Sequence, residues 1–122
     1  MRALIVDDSS FVRDFVRGLL EGRGIECEEA ADGRTGLEML HNSPPFDLAL
    51  IDWNMPVMNG LEMLRRLRAE GFDNLKVLMV TIEAENEFIL RALESGADEY
   101  LMKPFAEEAL AEKLELLGLA EA

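Results

Sequence analysis

Four short apolar runs in this chain each end in a polar residue, and the residue types belong to one kind of chemistry. Leu48-Ala49-Leu50-Ile51 ends in Asp52, and Ala3-Leu4-Ile5-Val6 ends in the pair Asp7-Asp8. The run from Lys76 to Val80 ends in Thr81, and Tyr100-Leu101-Met102 ends in Lys103-Pro104. An unbroken apolar run of this length reads as a buried strand. In an open α/β sheet the carboxyl edge of such strands is where ligands bind. Three carboxylates gathered at one edge repel one another and need a counter-charge. A hard divalent cation supplies it: Mg2+ takes one or two carboxylates, keeps several waters and leaves positions for phosphate oxygens. Lys103 adds a mobile positive charge and Thr81 a hydroxyl donor. Acid cluster, cation, lysine and hydroxyl are what phosphoryl transfer requires. An aspartate can itself be the nucleophile, forming an aspartyl-phosphate, and Asp52 is the candidate.

The elements that position these groups alternate along the chain. Ser9 or Asp8 is placed to cap a helix whose apolar face carries Phe11, Val12, Phe15, Val16, Leu19 and Leu20, ended by Gly22 and Gly24. Ile25 to Ala30 is a weak strand, and its Glu26, Glu28 and Glu29 mark it as an edge. Asp32-Gly33 is a turn, Leu37 and Leu40 mark a short helix to about His41, and Asn42-Ser43-Pro44-Pro45 breaks it. Asn59-Gly60 opens a helix with Leu61, Leu64 and Leu67 inward and Arg65, Arg66, Arg68 and Glu70 outward, closed by Gly71. A helix over 84–95 carries Phe88, Ile89, Ala92 and Leu93 and ends at Gly96; a last helix over 105–117 turns Leu110, Leu114 and Leu117 inward. Five βα alternations with short linkers specify a parallel sheet covered by helices on both faces. At 122 residues the chain reads as one domain, 1–122.

Composition narrows the classes further. Twelve Lys and Arg against 25 Asp and Glu give a net charge of −13, which repels phosphate backbones and anionic lipid heads. Direct nucleic-acid binding and membrane insertion are therefore not expected. No run reaches the ~20 apolar residues of a membrane span, and the lone Cys27 fits a reducing compartment, so the expected location is cytoplasmic. His41 reads as a solvated helix-end residue and the methionines as core and loop filler. A calcium loop over 52–63 fails because Pro56 and Val57 stand where a ligand and a glycine belong. No Gly-x-Gly-x-x-Gly follows a strand, so a dinucleotide site fails too.

Five markers stand in order: Asp7-Asp8, Asp52-Trp53-Asn54-Met55-Pro56, Thr81, Gly96-Ala97-Asp98 and Lys103-Pro104-Phe105. Together they resemble the receiver domain of two-component response regulators, most of all the single-domain chemotaxis type, from Ala3 to about Leu117. The resemblance implies a flavodoxin-like (βα)5 doubly wound sheet of order 2-1-3-4-5, an order carried over from the family. It implies that Asp52 accepts a phosphoryl group from a phosphohistidine on a histidine kinase. Asp8, Asp52 and the backbone carbonyl of Asn54 would hold Mg2+, with Asp7 helping through water. Lys103 would pair with the phosphoryl oxygens and precede a cis peptide to Pro104. Thr81 would swing inward, followed by Tyr100 as the aromatic switch. Asn54 and Glu83, two positions beyond Asp52 and Thr81, would set a short phosphate lifetime, and Trp53 would report events at the acceptor.

The same resemblance implies a phosphoacceptor switch rather than an enzyme with an outside substrate, one that supports its own phosphorylation and autodephosphorylation. Its downstream protein target would dock on 84–95, 99–102 and 105–117, with Glu85, Ile89, Tyr100 and Lys113 as contacts, and the chain would be a monomer or weak dimer. Met1-Arg2 ahead of the first strand and the stop soon after the last helix favour a stand-alone chemotaxis-type regulator. The alternative is a receiver module of a longer regulator with a DNA-binding or enzymatic output. An Asp-nucleophile phosphohydrolase is disfavoured, because Asn54 stands where its second carboxylate belongs and no insertion can form a substrate cap.

Overall fold

The computed structural model describes residues 1–43, 45–82 and 86–119. Among them, strands and helices alternate as β1 (Arg2–Val6), α1 (Ser10–Glu21), β2 (Glu26–Ala30), α2 (Gly33–Asn42), β3 (Leu48–Asp52), α3 (Gly60–Ala69), β4 (Lys76–Thr81), α4 (Asn86–Glu94), β5 (Glu99–Met102) and α5 (Glu107–Leu116). The five strands form one parallel sheet of order β2-β1-β3-β4-β5. The expected α/β fold and strand order are thus found, and the glutamate-rich β2 is an edge. Of the helix expected over 84–95, residues 84 and 85 lie outside the described residues. No described helix is long and apolar enough to cross a membrane.

Period-two alternation divides the strands' side chains between two cores. Leu4, Val6, Ala49, Ile51, Val77 and Met79 face α2, α3 and α4 through Leu37, Leu40, Leu64, Leu67 and Ala92. Ala3, Ile5, Leu48, Leu50, Leu78 and Val80 face α1 and α5 through Val16, Leu20, Leu110 and Leu114. Burying a side chain of this size stabilises by about 1.5–3 kcal/mol, which is why the central strands read as unbroken apolar runs. Three helices start on side-chain caps. Ser9, Asp32 and Asn59 accept from the amides of Val12, Thr35 and Glu62, satisfying donors the first turn leaves without helical partners.

Two expectations need correction. Phe11 and Phe15 belong to the apolar run of α1, but they are 79% and 45% exposed, while Val16 and Leu20 are buried. At about 100° per residue Phe11 lies some 140° round the helix from Val16, beyond the stripe the sheet covers. Arg68, read as outward, folds back instead. Its guanidinium donates to the carbonyls of Gly96, Phe72 and Leu75 and pairs with Asp98. The long stem crosses apolar surface so that the head can reach carbonyls that a solvent-facing count does not anticipate.

Candidate functional site

Four of the five strands, β1, β3, β4 and β5, deliver the expected residues to the carboxyl edge. Asp7 follows Val6 and is 3% exposed; its N–H donates to Ala30 O (3.1 Å), and its Oδ1 accepts from the Ser9 amide (2.9 Å). Asp8, one residue on, is exposed. Asp52 is the last residue of β3 and is 6% exposed. The chain beyond it is pinned by Trp53 N to Val80 O (3.0 Å) and Gly60 N to Trp53 O (2.9 Å). Gly60 packs so closely that a Cβ there would overlap the Asp52 carbonyl, so α3 can begin at this point only with glycine. Thr81 ends β4, buried, and its carbonyl accepts from the Lys103 amide (2.8 Å), which fixes the lysine's backbone beside it. The Lys103–Pro104 peptide is cis.

The side chains then meet. Carboxylate oxygens of Asp7, Asp8 and Asp52 lie within 4.8 Å of one another. Lys103 Nζ donates to Asp7 Oδ2 at 2.8 Å and to Asp52 Oδ1 at 3.2 Å. Burial, and next the charge of Asp7, push the Asp52 carboxyl above its ordinary range, with Lys103 pulling part of the way back. Burial disfavours the Lys103 ammonium, but the hydrogen bond to Asp7 and the charges of Asp52 and Asp7 outweigh it and raise its pKa. Three carboxylates against one ammonium leave an excess of negative charge in a half-closed edge of oxygen donors. That donor set fits a hard divalent cation.

A family model for the response regulator receiver domain matches residues 3–115. The chain belongs to the response regulator receiver family. It is 46% identical over 117 residues to the chemotaxis protein CheY of Pseudomonas aeruginosa, covering 94% of both chains. Among solved structures it resembles chemotaxis protein CheY4 of Vibrio cholerae (TM-score 0.87, 36% identity, covering 93% of this chain and 95% of that one). It also resembles a probable two-component system response regulator/GGDEF domain protein, with TM-score 0.89 and 28% identity, covering 97% of this chain but 49% of that one.

The remaining residues singled out for a receiver are spread around this centre. Asn54 lies exposed in the bend after Trp53. Tyr100 stands half-buried in β5 opposite Met79, with Lys113 Nζ 4.4 Å from its ring centroid. Ile89 is half-buried in α4. Glu83 and Glu85 lie outside the described residues. His41 is more than a solvated end: its Nε2 is 2.6 Å from Glu70 Oε1 and its ring meets Phe72 edge-on. Sequence reasoning passed over Arg13, whose Nη1 donates to Asp7 O at 2.6 Å. A single cation on the first turns of α1, opposite glutamates of an edge strand, was the available signal.

Proposed function

We propose that Asp52 is the phosphoacceptor of a signalling switch, taking a phosphoryl group from a phosphohistidine on a histidine kinase and so changing which protein the chain binds. The observation that carries this reading is the buried Asp52 carboxylate, hydrogen-bonded to Lys103 at 3.2 Å and grouped with Asp7 and Asp8. An Asp52 oxygen attacks phosphorus as the bond from phosphorus to the imidazole nitrogen breaks, and the departing imidazole keeps the electron pair. Lys103, anchored through its amide to Thr81, faces the phosphoryl oxygens and offsets their charge. Asp7, Asp8, Asp52 and the Asn54 carbonyl would hold Mg2+, which when bound supplies further charge neutralisation and an anchor for the phosphoryl oxygens. The Thr81 hydroxyl hydrogen-bonds the transferred group, and Tyr100 follows it inward, biasing two pre-existing states of α4, β5 and α5. That face, with Ile89, Tyr100 and Lys113, receives the downstream protein. Asn54 and Glu83 border the phosphoryl group and set its lifetime through the attacking water.

The coextensive match to a chemotaxis CheY supports a stand-alone, cytoplasmic, single-domain regulator of the chemotaxis type. The match to half of a longer regulator supports the second reading, a module that drives an attached output domain. In either case the chain acts on itself, supporting its own phosphorylation and autodephosphorylation at Asp52, and turns over no outside substrate.

Trp53, buried beside the acceptor, reports the test. Mg2+ changes its emission, and acetyl phosphate then gives a second, saturable change in wild type but none in Asp52→Asn. A donor response that persists in Asp52→Asn, or no Mg2+ response at all, overturns the assignment.

A further inference from the structure

We infer that Arg13 is a positioning residue for the acid cluster, holding the turn between β1 and α1 in the shape that keeps Asp7 and Asp8 within reach of Asp52. Every polar atom of Asp7 is engaged. Its N–H donates to Ala30 O, its Oδ1 accepts from Ser9 N, its Oδ2 accepts from Lys103 Nζ, and its carbonyl accepts from Arg13 Nη1 at 2.6 Å. The last of these reaches back from α1 onto the backbone between the two acids, so it sets how the chain turns from Asp7 to Asp8. Arg13 is itself aimed: its Nε donates to Glu29 Oε1 at 3.0 Å, and the two side chains are 17% and 21% exposed. The other oxygen of Glu29 pairs with Arg17, which also donates to Cys27 O and Glu21 Oε2. The edge strand β2 thus orients a guanidinium whose far end grips the acidic turn. Partners of this second layer commonly change metal affinity when removed.

The inference rests on the proposed Mg2+ site, and charge makes it separable from simpler accounts. A guanidinium near a divalent cation repels it, so if Arg13 acted through charge alone its removal would tighten Mg2+ binding. Positioning predicts the opposite sign. Arg17 is the control, since it shares Glu29 but makes no contact with Asp7 among those described.

Wild type, Arg13→Gln, Glu29→Gln and Arg17→Gln are titrated with MgCl2 on Trp53 emission, and thermal unfolding of each is followed in EDTA. Arg13→Gln is expected to bind Mg2+ about tenfold more weakly. Glu29→Gln should shift the same way by less, and Arg17→Gln should keep the wild-type midpoint although its EDTA unfolding temperature falls as much as that of Arg13→Gln. Equal or tighter binding by Arg13→Gln overturns the inference and leaves the Mg2+ site standing. Losses in Arg13→Gln and Arg17→Gln that both track thermal stability reduce Arg13 to a structural brace. A wild type that gives no Mg2+ response overturns the site itself and the inference with it.

Discussion

The indole of Trp53 stands edge-on to the ring of Phe88, with centroids 5.5 Å apart and planes at 77°. This contact joins the residue after Asp52 directly to α4. An edge-to-face pair adds about 0.5–1.5 kcal/mol beyond the area it buries, so the site and that helix are packed as one unit.

Phe88→Ala should therefore expose one edge of the indole without touching the acid cluster. The Trp53 emission moves to longer wavelength and the near-ultraviolet dichroism weakens, while the midpoint of the Mg2+ titration stays where it was. A shifted midpoint would mean that α4 shapes the acid cluster itself.

The raised pKa of Asp52 has a definite sign in stability. A carboxyl that holds its proton more tightly when folded opposes folding once ionised, so its contribution declines as pH rises from the unfolded value of about 4 through the folded one. In EDTA at neutral pH, Asp52→Asn is expected to melt above wild type, and the gap should close on acidification toward pH about 4. On the proposed Mg2+ site, saturating Mg2+ should reverse the order, since a ligand at a hundred times its Kd stabilises by about 2.7 kcal/mol and the variant lacks one of the proposed ligands. Calorimetry across pH, with and without Mg2+, reads both effects.

Lys103→Met strips the ammonium from two buried carboxylates, Asp7 and Asp52. Removing one partner of a buried ionic cluster costs about 3–5 kcal/mol, and here the loss should shrink at acid pH, where Asp52, its pKa raised by burial, takes up its proton. In wild type the raised Lys103 pKa has the same sign of pH dependence as that of Asp52 but acts in an alkaline window: its stabilisation is complete below the unfolded value of about 10.4 and disappears only as pH climbs through the folded one. Urea unfolding of the two proteins at acid, neutral and alkaline pH separates these effects.

Arg68 acts at the other end of the sheet, where it ties the end of α3 to the start of β4 and to the turn before β5. Gly96, held at φ +112°, leaves the room: a Cβ there would come within 2.9 Å of Arg68 Cγ. Arg68→Ala abandons the carbonyls of Phe72, Leu75 and Gly96, and hydrogen bonds to charged groups contribute about 1.5–3 kcal/mol each with strong overlap. A drop of about 3 kcal/mol in unfolding free energy is expected, with the Mg2+ midpoint unchanged. Arg68→Lys should recover only a fraction, for an ammonium cannot span three acceptors as a planar fork does.

The acid cluster was readable because a parallel sheet sends every strand's carboxyl end to the same side. Residues following separate apolar runs must then meet, as Asp7, Asp52 and Lys103 do. The strand order was less accessible, since alternation of elements fixes neither neighbour nor sequence across the sheet; family likeness supplied it. Phe11 and Phe15 misled because helical periodicity counts apolar residues without measuring how wide a stripe the sheet covers. The backbone contacts of Arg13 and Arg68 were invisible for a common reason. A cation on a helix reads as solvated, yet each of these also donates to backbone carbonyls, partners that carry no mark in the sequence.

Lys103 and Asp7 are 96 residues apart in the chain. Their ion pair therefore closes a loop over most of the polypeptide, through a four-residue edge strand whose neighbour among the described residues is β4. Contacts of such long range form late, after local helices and the inner strands have repaid the entropy of closing the loop. The Lys103 counter-charge, carried by β5, is thus expected to reach the acids of the inner strands β1 and β3 only after those strands have paired. A chain stalled before β5 docks would hold most of its core and none of its counter-charge, which makes the site a record that folding has gone to completion.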